Sequence, residues 1–150
     1  MVPDTVFSVT VTSDDNLAPY LVVRREGSGS LLLGLAGGYN YVGVNLSAEV
    51  HMAAVGTIDA SGASRVRLDP GLSSTDPLTV VLSGASAFDA PSITAEALSF
   101  DLSGASEAWV DVGDKPVALS ASGASTLYYG GTPWFISRDL SGASRTVKVR

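Results

Sequence analysis

Short runs of alternating apolar and polar residues recur along the chain at a regular distance. The most regular runs surround a Ser-Gly-Ala-Ser motif, whose copies begin at Ser61, Ser83, Ser103, Ser122 and Ser141. The steps between these copies are 22, 20, 19 and 19 residues, and a fixed period of this size is typical of a solenoid with one repeat per coil. An active-site motif is needed once, whereas a structural unit is needed in every coil. The motif therefore indicates architecture and not activity.

The repeats in residues 57–150 have the pattern of strands. Each repeat begins with alternation rich in Val, Leu and Phe, as in "LTVVLSGASAF", and most repeats end at a corner that contains Pro or Gly. No apolar face with a 3.6-residue period persists here, which argues against helices. The sequence predicts an all-β fold, a parallel β-helix (β-solenoid) with about 19–22 residues per coil. Coils of this length suit a triangle of three short strands and three corners.

The place of the Ser-Gly-Ala-Ser motif within a coil has two interpretations. The residue before each copy is apolar, and so, in most copies, is the second residue after it. If the strand alternation continues through the motif, these residues point inward together with the Gly and the second Ser. The second Ser residues then form an internal hydroxyl ladder. If Ser-Gly-Ala forms a corner instead, the inside–outside register changes within the motif.

Residues 1–56 show strand-like alternation without the repeat. "VFSVTVT" and "YNYVGVNL" predict alternating strands, "LLLGL" predicts a buried strand, and "SDDN" and "REGSGS" predict turns. Because a solenoid must cover the apolar layer at its end, we expect this region to form an irregular cap of atypical coils. Residues 1–150 are then a single β-solenoid domain, in which residues 57–150 supply the regular coils.

The composition narrows the classes of partner. The net charge is −6 and the pI about 4.5, so electrostatic binding to nucleic acid or to anionic lipid is not expected. The lack of Cys excludes disulfides, zinc–thiolate sites and thiol catalysis. No apolar run has the roughly 18–20 residues that a transmembrane span requires. The first residues also lack the basic and apolar segments of a secretion signal.

A single histidine limits the catalytic options. His51 excludes a metal site built from several histidines, and the alternation in "EVHMA" places it on one strand face with Glu49. The many Ser residues are not evidence for a nucleophile, because an activated Ser needs a placed base and oxyanion donors. No nucleophile elbow or phosphate-binding loop occurs in the chain.

The repeated carboxylates do not form an obvious site either. Asp59, Asp101 and Asp139 occupy equivalent positions in alternate coils, about 10 Å apart at a strand spacing of ~4.8 Å, which is too far for one Ca²⁺ to bridge. Asp89 and Asp111 lie in adjacent coils but at different offsets from the motif, so they are not in lateral register as candidates for glycoside hydrolysis. We therefore predict no catalytic residue, no metal site and no cofactor.

Four aromatic residues are the best candidates for a ligand surface. Tyr128, Tyr129 and Trp134 surround the corner "GGTP", and Trp109 lies in the preceding coil, two positions beyond the level of Leu127. Tyr and Trp provide a large contact area at little cost in conformational entropy, and they bind both sugars and protein side chains. In the alternative interpretation these rings fill the interior of the solenoid or pack beneath the corner.

Several motifs also occur in the order found in a known family. "FSVTVTSDDNLAPYLVVRREG" and "SLLLGL" come first, "LSAEVHM" precedes the first "SGAS", serial "LSGAS" coils follow, and "LYYGGTPW" precedes the last "SGAS". In this order the chain resembles the head GIN domain family of auto-transporter adhesins, along nearly its whole length. It departs from the family pattern before "FSVTV" and at "HMAAVGTI". The resemblance implies a right-handed parallel β-helix that is exported from a bacterial cell, its signal peptide having been removed.

These observations together predict a non-enzymatic interaction module. We expect the protein to be secreted, periplasmic or on the cell surface, and to bind a glycan or a surface protein. One alternative is a polysaccharide-active β-helix enzyme. Another is an assembly protein that oligomerises through its last coil, "TVKVR", where Lys148 and Arg150 either protect the strand edge or mark a docking edge.

Overall fold

The computed structural model describes residues 7–27, 29–70 and 77–149 and is nearly all β-structure. By its internal contacts the chain divides into two compact units, residues 1–52 and residues 53–150. Arg150, for which a role at the strand edge is predicted, lies outside the described residues.

The first unit contains two antiparallel strand pairs. Strands β1 (Ser8–Ser13), β2 (Leu21–Glu26), β3 (Ser30–Leu35) and β4 (Leu46–His51) pair as β1 with β4 and β2 with β3. A short 3-10 helix, Asp15–Tyr20, lies between β1 and β2 and buries Leu17. The strands predicted in "VFSVTVT" and "LLLGL" are confirmed, although the second is only half-buried. The role of this region as a cap stays a prediction.

The strand predicted in "YNYVGVNL" is wrong. This segment is irregular up to Leu46, where β4 begins. Tyr39 and Tyr41 instead pack against Tyr20, and the three ring centroids lie 4.8, 6.0 and 6.1 Å apart. Partial burial raises the pKa of the Tyr41 phenol above its usual value, and the two neighbouring tyrosines raise it further. Gly43 interrupts the extended backbone with a φ of 64°, so the alternation does not continue as a strand.

The second unit is a β-solenoid of about five turns, as the repeat predicts. Each turn contributes one strand to each of two parallel five-stranded sheets. The first sheet contains β5 (Thr57–Ala60), β7 (Leu78–Leu82), β9 (Leu98–Leu102), β11 (Pro116–Ala121) and β13 (Trp134–Leu140). The second sheet contains β6 (Arg65–Arg67), β8 (Ala87–Ala90), β10 (Glu107–Asp111), β12 (Thr126–Gly130) and β14 (Arg145–Lys148).

The third side of the coil forms no strand among the described residues, so the prediction of three strands per coil is wrong. Residues 91–97, 112–115 and 131–133 return the chain from the second sheet to the first through turns and irregular backbone. These connections become shorter from coil to coil, and the later ones are too short for a strand between two corners. In the longest one, Pro91 has no amide hydrogen to donate to a strand ladder.

Side chains from both sheets fill the interior in rows. Parallel pairing sets equivalent residues of successive coils side by side, as Leu82 and Leu102 show in the first sheet. In the second sheet Phe88, Ala108 and Leu127 form one row, where the small Ala beside Phe88 makes room for its ring. All five side chains are buried. Because rows of this kind exclude water from the whole interior, they supply the main stabilisation of the unit.

The Ser-Gly-Ala-Ser motif forms the corner between the two sheets, which decides between the two interpretations. In every copy the Gly has a φ between 68° and 75°, and this left-handed conformation favours glycine. In the later four copies the Ala amide donates to the Gly carbonyl of the preceding copy at 2.7 or 2.8 Å. A Cβ on Gly104 would lie 2.6 Å from the carbonyl oxygen of Gly84, so the stacked corners also need a residue without a side chain.

The second Ser of the motif is buried in the three middle copies, but the hydroxyls do not bond to one another. In Ser64, Ser86, Ser125 and Ser144 the Oγ donates to the carbonyl of the first Ser of the same copy at 2.7 or 2.8 Å. The expected ladder is therefore a series of hydroxyl-to-backbone bonds, each of which closes its own corner. The buried Oγ of Ser106 has no hydrogen-bond partner within the described residues.

Candidate functional site

Two of the predicted aromatic residues stand side by side on the outer face of the second sheet. Trp109 on β10 is paired in register with Tyr128 on β12, and the two rings stack with centroids 3.7 Å apart and planes 11° from parallel. Leu127 is paired with Ala108, so Trp109 lies one position beyond the level of Leu127, and the predicted offset of two positions is wrong. Trp109 remains 44% exposed despite the stacking. Trp109 and Tyr128 are called the aromatic pair below.

The other two predicted residues lie elsewhere. Tyr129 follows Tyr128 along β12 and faces the interior, where it packs against the core and meets the ring of Phe135 edge-on at 5.6 Å. Trp134 begins β13 in the first sheet, opposite Pro116, and is 58% exposed. The four residues therefore do not form one surface. Packing accounts for Tyr129, and Trp134 belongs to a different sheet from the aromatic pair.

Three carboxylates surround the indole of the aromatic pair. Asp89 on β8 is the register partner of Trp109 on the side opposite Tyr128. Glu107 and Asp111 lie two positions before and after Trp109 on the same strand, so they share its face. Asp111 Oδ1 accepts a hydrogen bond from the Gly113 amide at 3.2 Å. In the part of the chain that the structure describes, none of the three carboxylates forms a salt bridge.

Positive charge on this face lies at its two ends. Arg65 and Arg67 are on β6, and Arg145 is on β14, the first and last strands of the second sheet. Arg65 and Arg145 are each two strands from Glu107 in the same row, roughly 10 Å away at the usual strand spacing. The middle of the face is therefore acidic and aromatic, in a chain whose net charge is −6.

The carboxylates of the first sheet lie where the sequence predicts them. Asp59, Asp101 and Asp139 share one outer row, with Val81 and Ser120 between them. The intervening residues separate the carboxylates by two strand spacings, which reduces their mutual repulsion. Over the described ranges, no group of three His, Cys, Asp or Glu residues lies close enough to hold a metal ion.

The two carboxylates considered for hydrolysis are offset, as predicted. Asp89 is paired with Trp109, whereas Asp111 is paired with Gly130 on the following strand. They are diagonal neighbours across β8 and β10 and not members of one row. The distance between such neighbours is about 7–8 Å.

The single histidine forms an exposed pair with a neighbour on its own strand. His51 Nε2 lies 3.2 Å from Glu49 Oε1, and both side chains are mostly exposed. This confirms that the two residues share one face of β4. An exposed pair of this kind contributes little to stability, and the mostly exposed imidazole lacks the buried surroundings that are typical of a catalytic base.

The sequence analysis did not identify Asp89, Glu107 and Asp111 as neighbours of the indole. A simple count identifies the row, because Asp89, Trp109 and Tyr128 each lie six residues after the first Ser of their motif. The stacking of two rings at that position depends on their rotamers, which the count does not give.

Comparisons of the chain with protein-family models, with curated proteins and with solved structures find no match. No helix within the described ranges is long and apolar enough to cross a membrane. The case for a function therefore comes from the surface of the second unit.

Proposed function

We propose that the protein is a non-enzymatic glycan-binding module, exported from the cell, that contacts its ligand through the aromatic pair. The observation that carries this proposal is the exposure of Trp109 on the outer face of a strand whose inner residues, Ala108 and Val110, are buried. A large ring at that position fills no part of the core. The proposal of export rests on the resemblance in the order of the sequence motifs.

The surroundings of the pair suit a sugar. A pyranose ring presents C–H groups that pack on an aromatic face and hydroxyl groups that donate to nearby carboxylates. Asp89, Glu107 and Asp111 offer such acceptors around Trp109. Small-molecule sites commonly combine an aromatic surface with a few placed polar groups. Because β8 and β12 pair with β10 on its two sides, the backbone of the site is already ordered, and binding would cost little conformational entropy.

The same surface is poorly suited to glycoside cleavage. The separation of Asp89 and Asp111 is of the order used by inverting glycosidases, roughly 6.5–9.5 Å. A general acid needs a carboxyl group that burial keeps protonated, and the exposed Asp111 instead accepts a hydrogen bond from the Gly113 amide. An open sheet face also excludes water poorly. These features support binding without catalysis.

A glycan-array screen of the purified chain tests this proposal. We expect binding that falls about tenfold or more in Trp109→Ala, since an anchoring ring commonly contributes at least 2 kcal/mol. Trp134→Ala, which removes an equally large exposed ring from the first sheet, is the matched control and should bind normally. Absence of glycan binding, or equal losses in both variants, would contradict the proposal. Release of shortened products, detected by mass spectrometry, would favour the enzyme alternative.

A further inference from the structure

Another ring covers one face of the Trp109 indole, and the opposite face, called the free face below, carries no second ring. Because the rings of Trp109 and Tyr128 are nearly parallel and 3.7 Å apart, Tyr128 covers the side toward β12. The other side of the indole faces β8. Across the described part of the chain, no aromatic ring or cationic side chain stacks on that side.

The residue beneath the free face is a short acid. Asp89 occupies the next position of the row on β8, one strand spacing from Trp109, or ~4.8 Å. Because an Asp side chain is much shorter than an indole, the outer part of the Trp109 ring extends beyond the Asp89 carboxylate. A group that stacked on the indole there would continue the row, and its polar edge would lie against the Asp89 carboxylate.

The charges around this space favour a cation. Glu107 lies on the same face as Trp109. Arg67 is paired with Asp89 on the side away from Trp109, and its Nε lies 3.9 Å from an Asp69 carboxylate oxygen. Trp is the ring that attracts cations most strongly, and a neighbouring carboxylate adds a charge-assisted hydrogen bond. Acidic sugars would be repelled by the same groups.

We infer that the glycan bound by this protein is an amino sugar with a free ammonium group, whose ring stacks on Trp109 while the ammonium binds Asp89. The inference rests on the proposed function, because it names the class of ligand for the same site. It goes beyond that proposal in predicting discrimination by charge. Acetylation of the amine removes the charge and the ion pair with Asp89 but keeps the ring that stacks.

Calorimetric titration with matched oligosaccharides tests the inference. Oligomers of glucosamine, of N-acetylglucosamine and of glucose, equal in length and linkage, are titrated in a buffer that keeps the amine protonated. We expect the glucosamine oligomer to bind about tenfold more tightly than the other two, and added salt to reduce this difference. Asp89→Asn should remove the preference while binding to the neutral oligomers remains. Asp101→Asn, with the same loss of charge on the first sheet, should keep it.

The outcomes separate this inference from the proposed function. Equal binding of the three oligomers, lost in Trp109→Ala, would overturn the preference for amino sugars and leave the glycan-binding proposal intact. Failure of all three oligosaccharides to bind would overturn the inference, and the glycan array would then decide the proposed function separately. An arginine-rich peptide is the final probe. If it bound through Trp109 and Asp89 while the amino sugar did not, the site would be a docking surface for a basic protein segment, and the inference would be wrong.

Discussion

At each corner of the solenoid a glycine meets two separate requirements. Its φ is positive, and in the later four copies a Cβ would also clash with the preceding corner. The chain separates these effects, because Gly62 and Gly104 have nearly the same φ, 75° and 74°. Only Gly104 has a preceding corner against it, with the Gly84 carbonyl oxygen 2.6 Å from the position of a Cβ. Among the described residues nothing lies within 4 Å of a Cβ on Gly62.

Replacing these glycines should therefore have unequal effects. We expect Gly62→Ala to lower the free energy of unfolding by about 1–2 kcal/mol, the usual cost of a left-handed conformation for a residue with a Cβ. Gly104→Ala should lower it by roughly twice as much or more, since two corners must also move apart. Denaturant unfolding followed by circular dichroism measures both values. Equal losses would show that close stacking of the corners contributes nothing.

The sequence predicts the repeating unit but not the corner conformation of the Ser-Gly-Ala segment. The recurrence of the motif identifies a structural unit, but alternation alone does not show whether Ser-Gly-Ala continues a strand or turns the chain. The difference depends on the φ of one glycine, and glycine adopts positive and negative φ about equally well. The structure resolves this point through the exposed Gly and Ala of each copy and the inward-facing second Ser of the middle copies.

At the scale of elements, the stacking of Trp109 and Tyr128 joins β10 to β12 on the solvent side of the second sheet. Aromatic pairs of this kind contribute about 0.5–1.5 kcal/mol beyond the burial of their area. We expect a coupling energy in that range from a double-mutant cycle of Trp109→Ala and Tyr128→Ala, measured by denaturant unfolding. Each single variant should cost less than Leu119→Ala, which opens a cavity in the core and should cost about 2–5 kcal/mol.

This cycle also bears on the ligand surface. If Trp109→Ala destabilised the protein as much as Leu119→Ala, the indole would be a packing residue, and loss of glycan binding in that variant would have no meaning for the site. A small loss of stability with a positive coupling energy supports the interpretation of the aromatic pair as a surface feature.

The strands of the second unit could be predicted because one face of each middle strand is buried. A buried face requires an apolar residue at every second position, and this alternation is visible in the sequence. "LTVVL" and "LSFDL" show this most clearly, with buried residues at every second position. The third side of the coil lacks that signal, since its connections shorten and contain a Pro. In "YNYVGVNL" the alternation is present, but the tyrosine contacts and Gly43 prevent a strand. Alternation predicts strands only where a buried face requires it.

At the scale of the whole molecule, the last coil differs from those before it. On its inner positions Arg138 takes the place of Leu119, Thr146 that of Leu127 and Lys148 that of Tyr129. The Arg138 guanidinium lies 5.7 Å from the centre of the Phe135 ring. A further coil stacked on these residues would bury two cations. Inward-facing charge of this kind is one way in which proteins prevent pairing at strand edges.

Removing the charges of Arg138 and Lys148 should promote self-association through the last coil. We expect the double variant Arg138→Leu/Lys148→Val to associate with itself at concentrations where the parent protein does not. The coil end becomes apolar, and within the described residues β13 and β14 are terminal strands of their sheets, each paired on one side only. Sedimentation velocity over a range of concentrations detects the change. Arg145→Leu, which removes a cation from the outer face of the same coil, is the control. Association of the parent through this coil would instead support the assembly alternative.

The pairing of equivalent residues in successive coils also determines how the solenoid responds to force. The hydrogen bonds between coils point along the axis of the stack, and among the described strands the terminal ones of both sheets are paired with only one neighbouring strand. A pull along that axis therefore detaches the end coils first. A coil that detaches leaves the next corner and the next pair of strands exposed to the same pull. Each loss would release one repeat of 19–22 residues, or ~60–75 Å of extended chain. The solenoid would then yield in steps and lengthen under load, and a ligand bound near its middle would be released late.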